Sequence, residues 1–144
     1  MATAAVVYRS STGTTRRFAE AVAAYLTSRG IEASAASIED RDPATLAGVD
    51  FVLLGCWTSG LFVIAQHPEE AWVSWAGKLP DLRGARVALF TTYKLATGSM
   101  FRRMRRELAR TGATVDLELK SRSGQLSAEH QRQLDAWVAA RPRA

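Results

Sequence analysis

Apolar residues recur along this chain with two different periods, and the two periods alternate from one end to the other. Short runs that are continuously apolar or rich in β-branched residues predict strands buried on both faces. Apolar residues spaced three or four positions apart predict amphipathic helices between those strands. The predicted strands cover residues 4–8, 32–37, 51–56, 86–91 and 114–119. This alternation predicts a three-layer, doubly wound α/β fold, in which about five helices cover both faces of a five-stranded parallel sheet.

The predicted helices have recognisable ends and inward faces. The first follows Thr15 and ends at Gly30, and a later one begins at Pro68, because proline and acidic residues are favoured in a first turn. Residues 43–48 predict a short helix or turn, and Ser127 is expected to cap the last helix. The residues expected to face the sheet are Phe18, Ala21, Val22, Tyr25 and Leu26, then Trp72, Trp75, Ala76 and Leu79, then Phe101, Met104 and Leu108, and finally Leu134, Trp137 and Val138.

A loop of small, hydroxyl-bearing residues separates the first predicted strand from the first helix. Its sequence is Ser10-Ser11-Thr12-Gly13-Thr14-Thr15. It lacks the lysine of a nucleotide-triphosphate loop and the three spaced glycines of a dinucleotide loop. The unpaired amides of a helix N-terminus favour a phosphate, and hydroxyls add hydrogen bonds without adding charge. The loop therefore predicts a site for a terminal phosphomonoester, and the alternative is a helix cap that binds no ligand.

The composition is that of one ordinary globular domain. Of the 144 residues, 47% are hydrophobic and 23% are charged, which indicates a folded chain with one core. No apolar run approaches the roughly 20 residues of a membrane span, and the first residues lack the pattern of a signal peptide. We therefore expect a single domain over residues 1–144, located in the cytoplasm and without a membrane span.

The net charge of +5 comes mainly from arginine, and arginines are concentrated within residues 102–110. The apolar spacing there should turn Arg102, Arg103, Arg106 and Arg110 toward solvent. Excess positive charge favours an anionic cofactor or an acidic partner. Nucleic acid is disfavoured as a partner, because the cluster has no aromatic stacking platform and no recognisable nucleic-acid motif.

Cys56 is the only cysteine, at the end of a predicted strand. A single cysteine excludes an internal disulfide and a cysteine-cluster metal site. Burial as a small hydrophobic residue is favoured over a catalytic thiol, because nothing in the sequence places His67 or His130 beside it. No residue stands out as a general acid or base.

The pattern Ser-x-Thr-Gly-x-Thr at residues 10–15 resembles the phosphate loop of flavodoxins, and the order of features resembles that family over essentially the whole chain. A loop with Trp57-Thr58-Ser59-Gly60 follows the third predicted strand, and one with Thr91-Thr92-Tyr93-Lys94 follows the fourth. The resemblance implies a strand order of 2-1-3-4-5 and flavin mononucleotide (FMN) bound at the crevice formed by these three loops. The chain lacks the long fifth-strand insertion of larger members and resembles the short-chain group.

The resemblance also implies a role for each loop. The hydroxyls of Ser10, Thr12 and Thr15 and the amides of Ser11, Gly13 and Thr14 would bind the phosphate. Trp57 resembles the inner aromatic residue of the family and Tyr93 the outer one, and packing on neighbouring elements is the alternative for both. Contacts to the polar edge of the ring are expected from the backbone near Thr58, Ser59 and Thr92, with Gly60 and Lys94 completing the two ring loops.

Two features depart from the family pattern. Electron-carrying flavodoxins are usually acidic, whereas this chain is basic and places Lys94 where the ring would be. The segment Leu61–Ala65 is unusually apolar for a surface loop. The leading interpretation is an FMN-binding electron-transfer protein with an acidic redox partner or a phosphorylated donor such as NADPH. The alternatives are an FMN-dependent reductase or oxidase of a small substrate, such as a quinone or porphyrinogen, and a cofactor-less flavodoxin-like binding module.

Overall fold

A five-stranded parallel sheet forms the centre of the fold. The computed structural model describes residues 2–61, 64–94 and 96–140, with the backbone alone at 59–61 and 64–66. The central strands run in the order β2-β1-β3-β6-β7, which confirms the predicted order 2-1-3-4-5, and β4 and β5 form a separate antiparallel pair. The strands are β1 (Thr3–Arg9), β2 (Glu32–Ser37), β3 (Phe51–Trp57), β4 (Ser59–Leu61), β5 (Ile64–His67), β6 (Arg86–Thr92) and β7 (Thr114–Ser121).

Four α-helices and two short 3₁₀ helices occur in the described part of the chain, where the sequence predicted about five helices. The α-helices are α1 (Thr14–Ser28), α2 (Glu70–Ala76), α3 (Met100–Leu108) and α4 (Ala128–Ala139). The 3₁₀ helices are Pro43–Leu46, where a short helix or turn was predicted, and Ala109–Thr111. Within the described ranges, no helix is long and apolar enough to cross a membrane.

The predicted start of α4 is confirmed, whereas α2 begins later than predicted. Ser127 caps α4 as predicted, and His130 completes the cap, because its ring nitrogen accepts the backbone N–H of Ser127. By contrast, α2 begins at Glu70 and not at Pro68. The reason is that Glu69 keeps an extended backbone, and its carboxylate contacts Arg9 of β1.

The core consists of two apolar layers, one on each face of the sheet. On one face, α2 and α3 bury Trp72, Trp75, Met104 and Leu108 against the strands. On the other face, α1 and α4 bury the remaining helical stripes. The predicted inward residues are mostly buried, and Phe101, Tyr25 and Val138 are partly buried at the margins of these layers.

Gly55 lies directly beneath an aromatic ring on the α1 side of the sheet. It pairs across the sheet with Phe90 of β6, and a β carbon at Gly55 would lie 2.0 Å from that ring. The ring of Phe90 also packs against Phe18 of α1, with their centroids 5.7 Å apart. The ring of Phe90 therefore occupies the space that a side chain at position 55 would need.

Candidate functional site

Three loops meet at the carboxyl edge of the sheet. They follow β1, β3 and β6, which lie side by side in the sheet. From β1 the chain continues to β2 on one side, and from β3 it continues to β6 on the other, so the direction of the connections reverses here. Such a reversal opens the crevice in which doubly wound sheets bind their ligands. The fold thus brings together the three loops selected from the sequence.

Hydrogen bonds join these three loops to one another. The N–H of Thr58 donates to the carbonyl of Thr92 over 2.8 Å, and the hydroxyls of Thr58 and Thr91 are 2.7 Å apart. The hydroxyl of Thr15, a residue only 1% exposed, lies 2.6 Å from the hydroxyl of Thr92. The carboxyl end of β6 is therefore linked both to the loop after β3 and to the start of α1.

The first turn of α1 has backbone amides without partners. The helix begins after Gly13, which has a φ of 90° and, being glycine, offers no side chain to cap the turn. Within the described residues, no atom accepts a hydrogen bond from the amides of Thr14, Thr15 or Arg16. Unpaired amides and the positive end of the helix dipole favour a bound anion. The residues present therefore fit a phosphate group at this end of α1.

The side chains of the phosphate loop do not all face a ligand. The Oγ atom of Ser10 accepts the N–H of Gly13 over 3.0 Å, so one amide expected to bind phosphate has a partner inside the loop. Thr12 is exposed, and its hydroxyl lies 3.4 Å from that of Thr14. The buried hydroxyl of Thr15, by contrast, is engaged by β6. The loop thus offers both accessible hydroxyls and one that anchors it.

Trp57 is held by a network of charged side chains. Its half-buried indole donates Nε1–H to Oε2 of Glu69 over 2.8 Å. The Arg9 guanidinium approaches both oxygens of that carboxylate, at 2.7 and 3.2 Å, and also pairs with Glu39. The hydrogen bonds from Arg9 and Trp57 lower the pKa of the Glu69 carboxyl, so this group remains charged at neutral pH. The network fixes the direction of the indole N–H, and stacking of Trp57 on a cofactor ring stays a prediction.

Tyr93 and Lys94 follow β6 at the same edge. The half-buried Tyr93 donates its backbone N–H to the carbonyl of Ser121 over 3.2 Å, and the guanidinium of Arg122 lies 5.7 Å from the centre of its ring. Lys94 is exposed. The loop after β7 therefore contributes to this part of the edge, although the sequence patterns did not select it.

The segment after Trp57 is described only in part. Ser59 and Gly60 belong to β4, which pairs with β5 in an antiparallel ribbon. Of the apolar segment Leu61–Ala65, residues 62 and 63 lie outside the described residues.

Comparison with known proteins decides the family. The family model for flavodoxin matches residues 6–137. The chain belongs to the flavodoxin family. Flavodoxin from Megasphaera elsdenii is 29% identical over 110 residues, which cover 76% of this chain and 79% of that protein. The Clostridium beijerinckii flavodoxin is 26% identical, with 76% and 78% covered. The solution structure of two-electron reduced Megasphaera elsdenii flavodoxin superposes with a TM-score of 0.79 at 26% identity, covering 95% of this chain and 99% of that one. Like its relatives, this flavodoxin is an FMN-binding electron-transfer protein.

The arginine cluster of this flavodoxin divides into surface and structural residues. Arg102 and Arg106 are exposed and make no side-chain hydrogen bond or ion pair within the described residues. Arg103 donates to Ser99, and Arg105 pairs with Glu118. Arg110 was predicted to face solvent, and its guanidinium donates to the carbonyls of residues 76, 77 and 79 at the end of α2. Arg110 is thus exposed, as predicted, but it also closes the end of α2, because unpaired carbonyls at a helix end attract a cation.

Cys56 of the flavodoxin is buried at the end of β3, as predicted. Burial raises the pKa of its thiol to about 12. The protonated thiol is therefore a packing group and not a nucleophile. Among the described residues, no group of His, Cys, Asp and Glu side chains could hold a metal ion.

Proposed function

We propose that FMN binds across the three loops, with its phosphate at the first turn of α1 and its ring between Trp57 and Tyr93. The observation that supports this most strongly is the set of unpaired amides at Thr14, Thr15 and Arg16, placed at the reversal point of the sheet. When bound, the flavin supplies one- or two-electron chemistry, and the protein supplies binding, orientation and electrostatics. The chain is proposed to act as one domain over residues 1–144, in the cytoplasm.

Each loop residue then has a defined part. The accessible hydroxyls and the free amides hold the phosphate, while Thr15 holds the loop against β6. Trp57 is oriented by Glu69, and Tyr93 is oriented by the loop after β7. The residues proposed to contact FMN are Ser10, Ser11, Thr12, Gly13, Thr14 and Thr15 at the phosphate, and Trp57, Thr58, Ser59, Gly60, Thr92, Tyr93 and Lys94 around the ring.

Titration of the protein with FMN tests this arrangement. We expect quenching of the flavin fluorescence, because a ring stacked on Trp57 or Tyr93 loses its emission. Trp57→Ala and Tyr93→Ala should each weaken binding several-fold, since aromatic stacking is worth about 0.5–1.5 kcal/mol beyond the area buried. Tyr93→Phe keeps the ring and is the matched control. If both alanine variants keep the wild-type affinity and quenching, the two aromatic residues are packing residues only.

The charge of this flavodoxin suggests the nature of its redox partner. Arg102 and Arg106 are exposed on α3, which begins shortly after the Tyr93 loop. Lys94 is part of that loop, and Arg122 lies over the ring of Tyr93. Cations at the mouth of a site raise the local concentration of anions and steer them toward it. We therefore propose an acidic redox protein, or a phosphorylated donor such as NADPH, as the partner that approaches this side.

Charge reversal on α3 tests the steering. In Arg102→Glu/Arg106→Glu, oxidation of the reduced flavin by the anion ferricyanide should slow by about tenfold at low ionic strength and change little at high. The control Arg83→Glu/Arg132→Glu changes the net charge by the same amount at exposed positions elsewhere on the surface. Stopped-flow rates for ferricyanide and for the cation hexaamminecobalt(III) should respond in opposite directions. Equal rates in both double variants would leave Arg102 and Arg106 as solubilising residues.

A further inference from the structure

The loop between β7 and α4, residues 122–126, contacts two of the three loops at the proposed FMN site. Arg17 of α1 donates from Nη1 to the carbonyl of Ser123 over 2.9 Å. At the other side of the crevice, the N–H of Tyr93 donates to the carbonyl of Ser121, where β7 ends, and Arg122 lies over the Tyr93 ring. This β7–α4 loop is a fourth element of the edge, which bridges the phosphate side to the ring side.

Gly124 is the point at which the β7–α4 loop meets the first turn of α1. It is buried and has a φ of +82°, a conformation that favours glycine. A β carbon at Gly124 would lie 2.7 Å from the carbonyl oxygen of Thr14 and 3.2 Å from its Cγ2. The N–H of Gly124 donates to the hydroxyl of Ser121 over 3.0 Å, and that hydroxyl donates to the carbonyl of Gln125. Ser121 is 6% exposed, so the loop backbone is fixed from inside the protein.

This contact acts on a peptide group that belongs to the proposed phosphate site. The carbonyl of Thr14 and the N–H of Thr15 are parts of one planar peptide unit, which moves as a rigid body. Its oxygen lies against Gly124, and its N–H is one of the unpaired amides at the start of α1. A displacement of the oxygen by a few tenths of an ångström therefore changes the direction of the amide.

We propose that Gly124 is a positioning residue for the cofactor phosphate, because the absence of its side chain lets the Thr14–Thr15 peptide take the orientation that binds the anion. The inference rests on the proposed function, since it assumes that the phosphate lies at this helix end. Substitution of a residue with this role weakens the binding of the phosphate group and leaves the binding of the flavin ring unchanged. Substitution of a residue that only supports the fold weakens the binding of FMN and of riboflavin equally.

The test compares two glycine variants with two ligands. Gly124→Ala introduces both an unfavourable φ and the clash with Thr14, whereas Gly48→Ala introduces an equivalent φ of +83° with no atom within 4 Å of the new β carbon. Dissociation constants for FMN and for riboflavin, which has no phosphate, are measured for both variants and the wild type. We expect Gly124→Ala to weaken FMN by about tenfold, as for one lost charge-assisted hydrogen bond, and to leave riboflavin nearly unchanged. Gly48→Ala should leave both constants unchanged.

Two results would overturn the inference: unchanged FMN affinity in folded Gly124→Ala, or an equal loss for both flavins. If Gly124→Ala does not fold, Ser121→Ala removes the hydrogen bond that fixes Gly124 and introduces no clash. It should lower FMN affinity in the same direction by a smaller factor and leave riboflavin unchanged, and equal losses for both flavins would again contradict the inference. A wild-type protein that binds both flavins equally would instead overturn the proposed phosphate site, and the inference with it.

Discussion

Riboflavin is expected to bind this flavodoxin at least about 100-fold more weakly than FMN. The phosphate is the only group that distinguishes the two ligands, and the start of α1 offers the unpaired amides of Thr14, Thr15 and Arg16 to it. Charge-assisted hydrogen bonds contribute about 1.5–3 kcal/mol each, and two of them already account for a 100-fold difference. Isothermal titration calorimetry or fluorescence titration with both ligands measures the ratio directly.

Removal of individual loop hydroxyls tests how much each contributes to the difference in affinity between FMN and riboflavin. Thr12→Val removes an exposed hydroxyl, and Thr15→Val removes the buried hydroxyl that bonds to Thr92. Together they should weaken FMN by at least about tenfold while changing riboflavin binding less. Valine has nearly the shape of threonine, but Thr15→Val leaves the buried hydroxyl of Thr92 without this partner, so the free energy of unfolding is measured beside the FMN affinity. Equal affinities of the unmutated protein for FMN and riboflavin would show that the phosphate does not bind here.

Gly55→Ala is expected to lower the free energy of unfolding by about 2–3 kcal/mol. A methyl group at this position would lie 2.0 Å from the ring of Phe90, which is fully buried and packs against Phe18. Both rings are fully buried, and overpacking of a core typically costs about 1–3 kcal/mol. Gly84→Ala is the matched control, because no atom lies within 4 Å of its new β carbon. Urea unfolding of the two variants measures the difference.

A second substitution distinguishes overpacking from a general intolerance of alanine in β3. Phe90→Leu in the Gly55→Ala background removes part of the ring that the methyl group contacts. We expect the double variant to be more stable than the sum of the two single changes predicts, with a coupling of about 1 kcal/mol or more. Additive effects, or equal losses in Gly55→Ala and Gly84→Ala, would contradict the packing argument.

The elements of the fold were predictable because each depends on its own residues. Strand β3 is continuously apolar, which is typical of a strand buried on both faces. The start of α2 was not predictable in the same way, because Glu69 has the extended backbone of an N-cap residue and its carboxylate contacts Arg9 of β1. The ion pair joins residues 60 positions apart, and no local pattern contains both.

The same distinction holds within the candidate site. The three loops could be selected from the sequence, because the resemblance to flavodoxins implies the strand order that brings β1, β3 and β6 together at one edge. The contacts that fix the loops depend on side-chain conformations across the sheet. The hydroxyls of Thr15 and Thr92 are 77 residues apart in the sequence, and Gly124 contacts Thr14 from the far end of the chain. Only the assembled fold shows these partners.

The buried state of Cys56 makes the protein suited to chemical labelling. Its thiol is inaccessible and stays protonated at the pH values used for maleimide coupling, because burial raises its pKa to about 12. A single cysteine placed on the surface, for example by Arg106→Cys, would therefore be the only position to take up a dye or an electrode linker. Fluorophores or a gold surface can thus be attached to this flavodoxin at a chosen point without first removing its own cysteine.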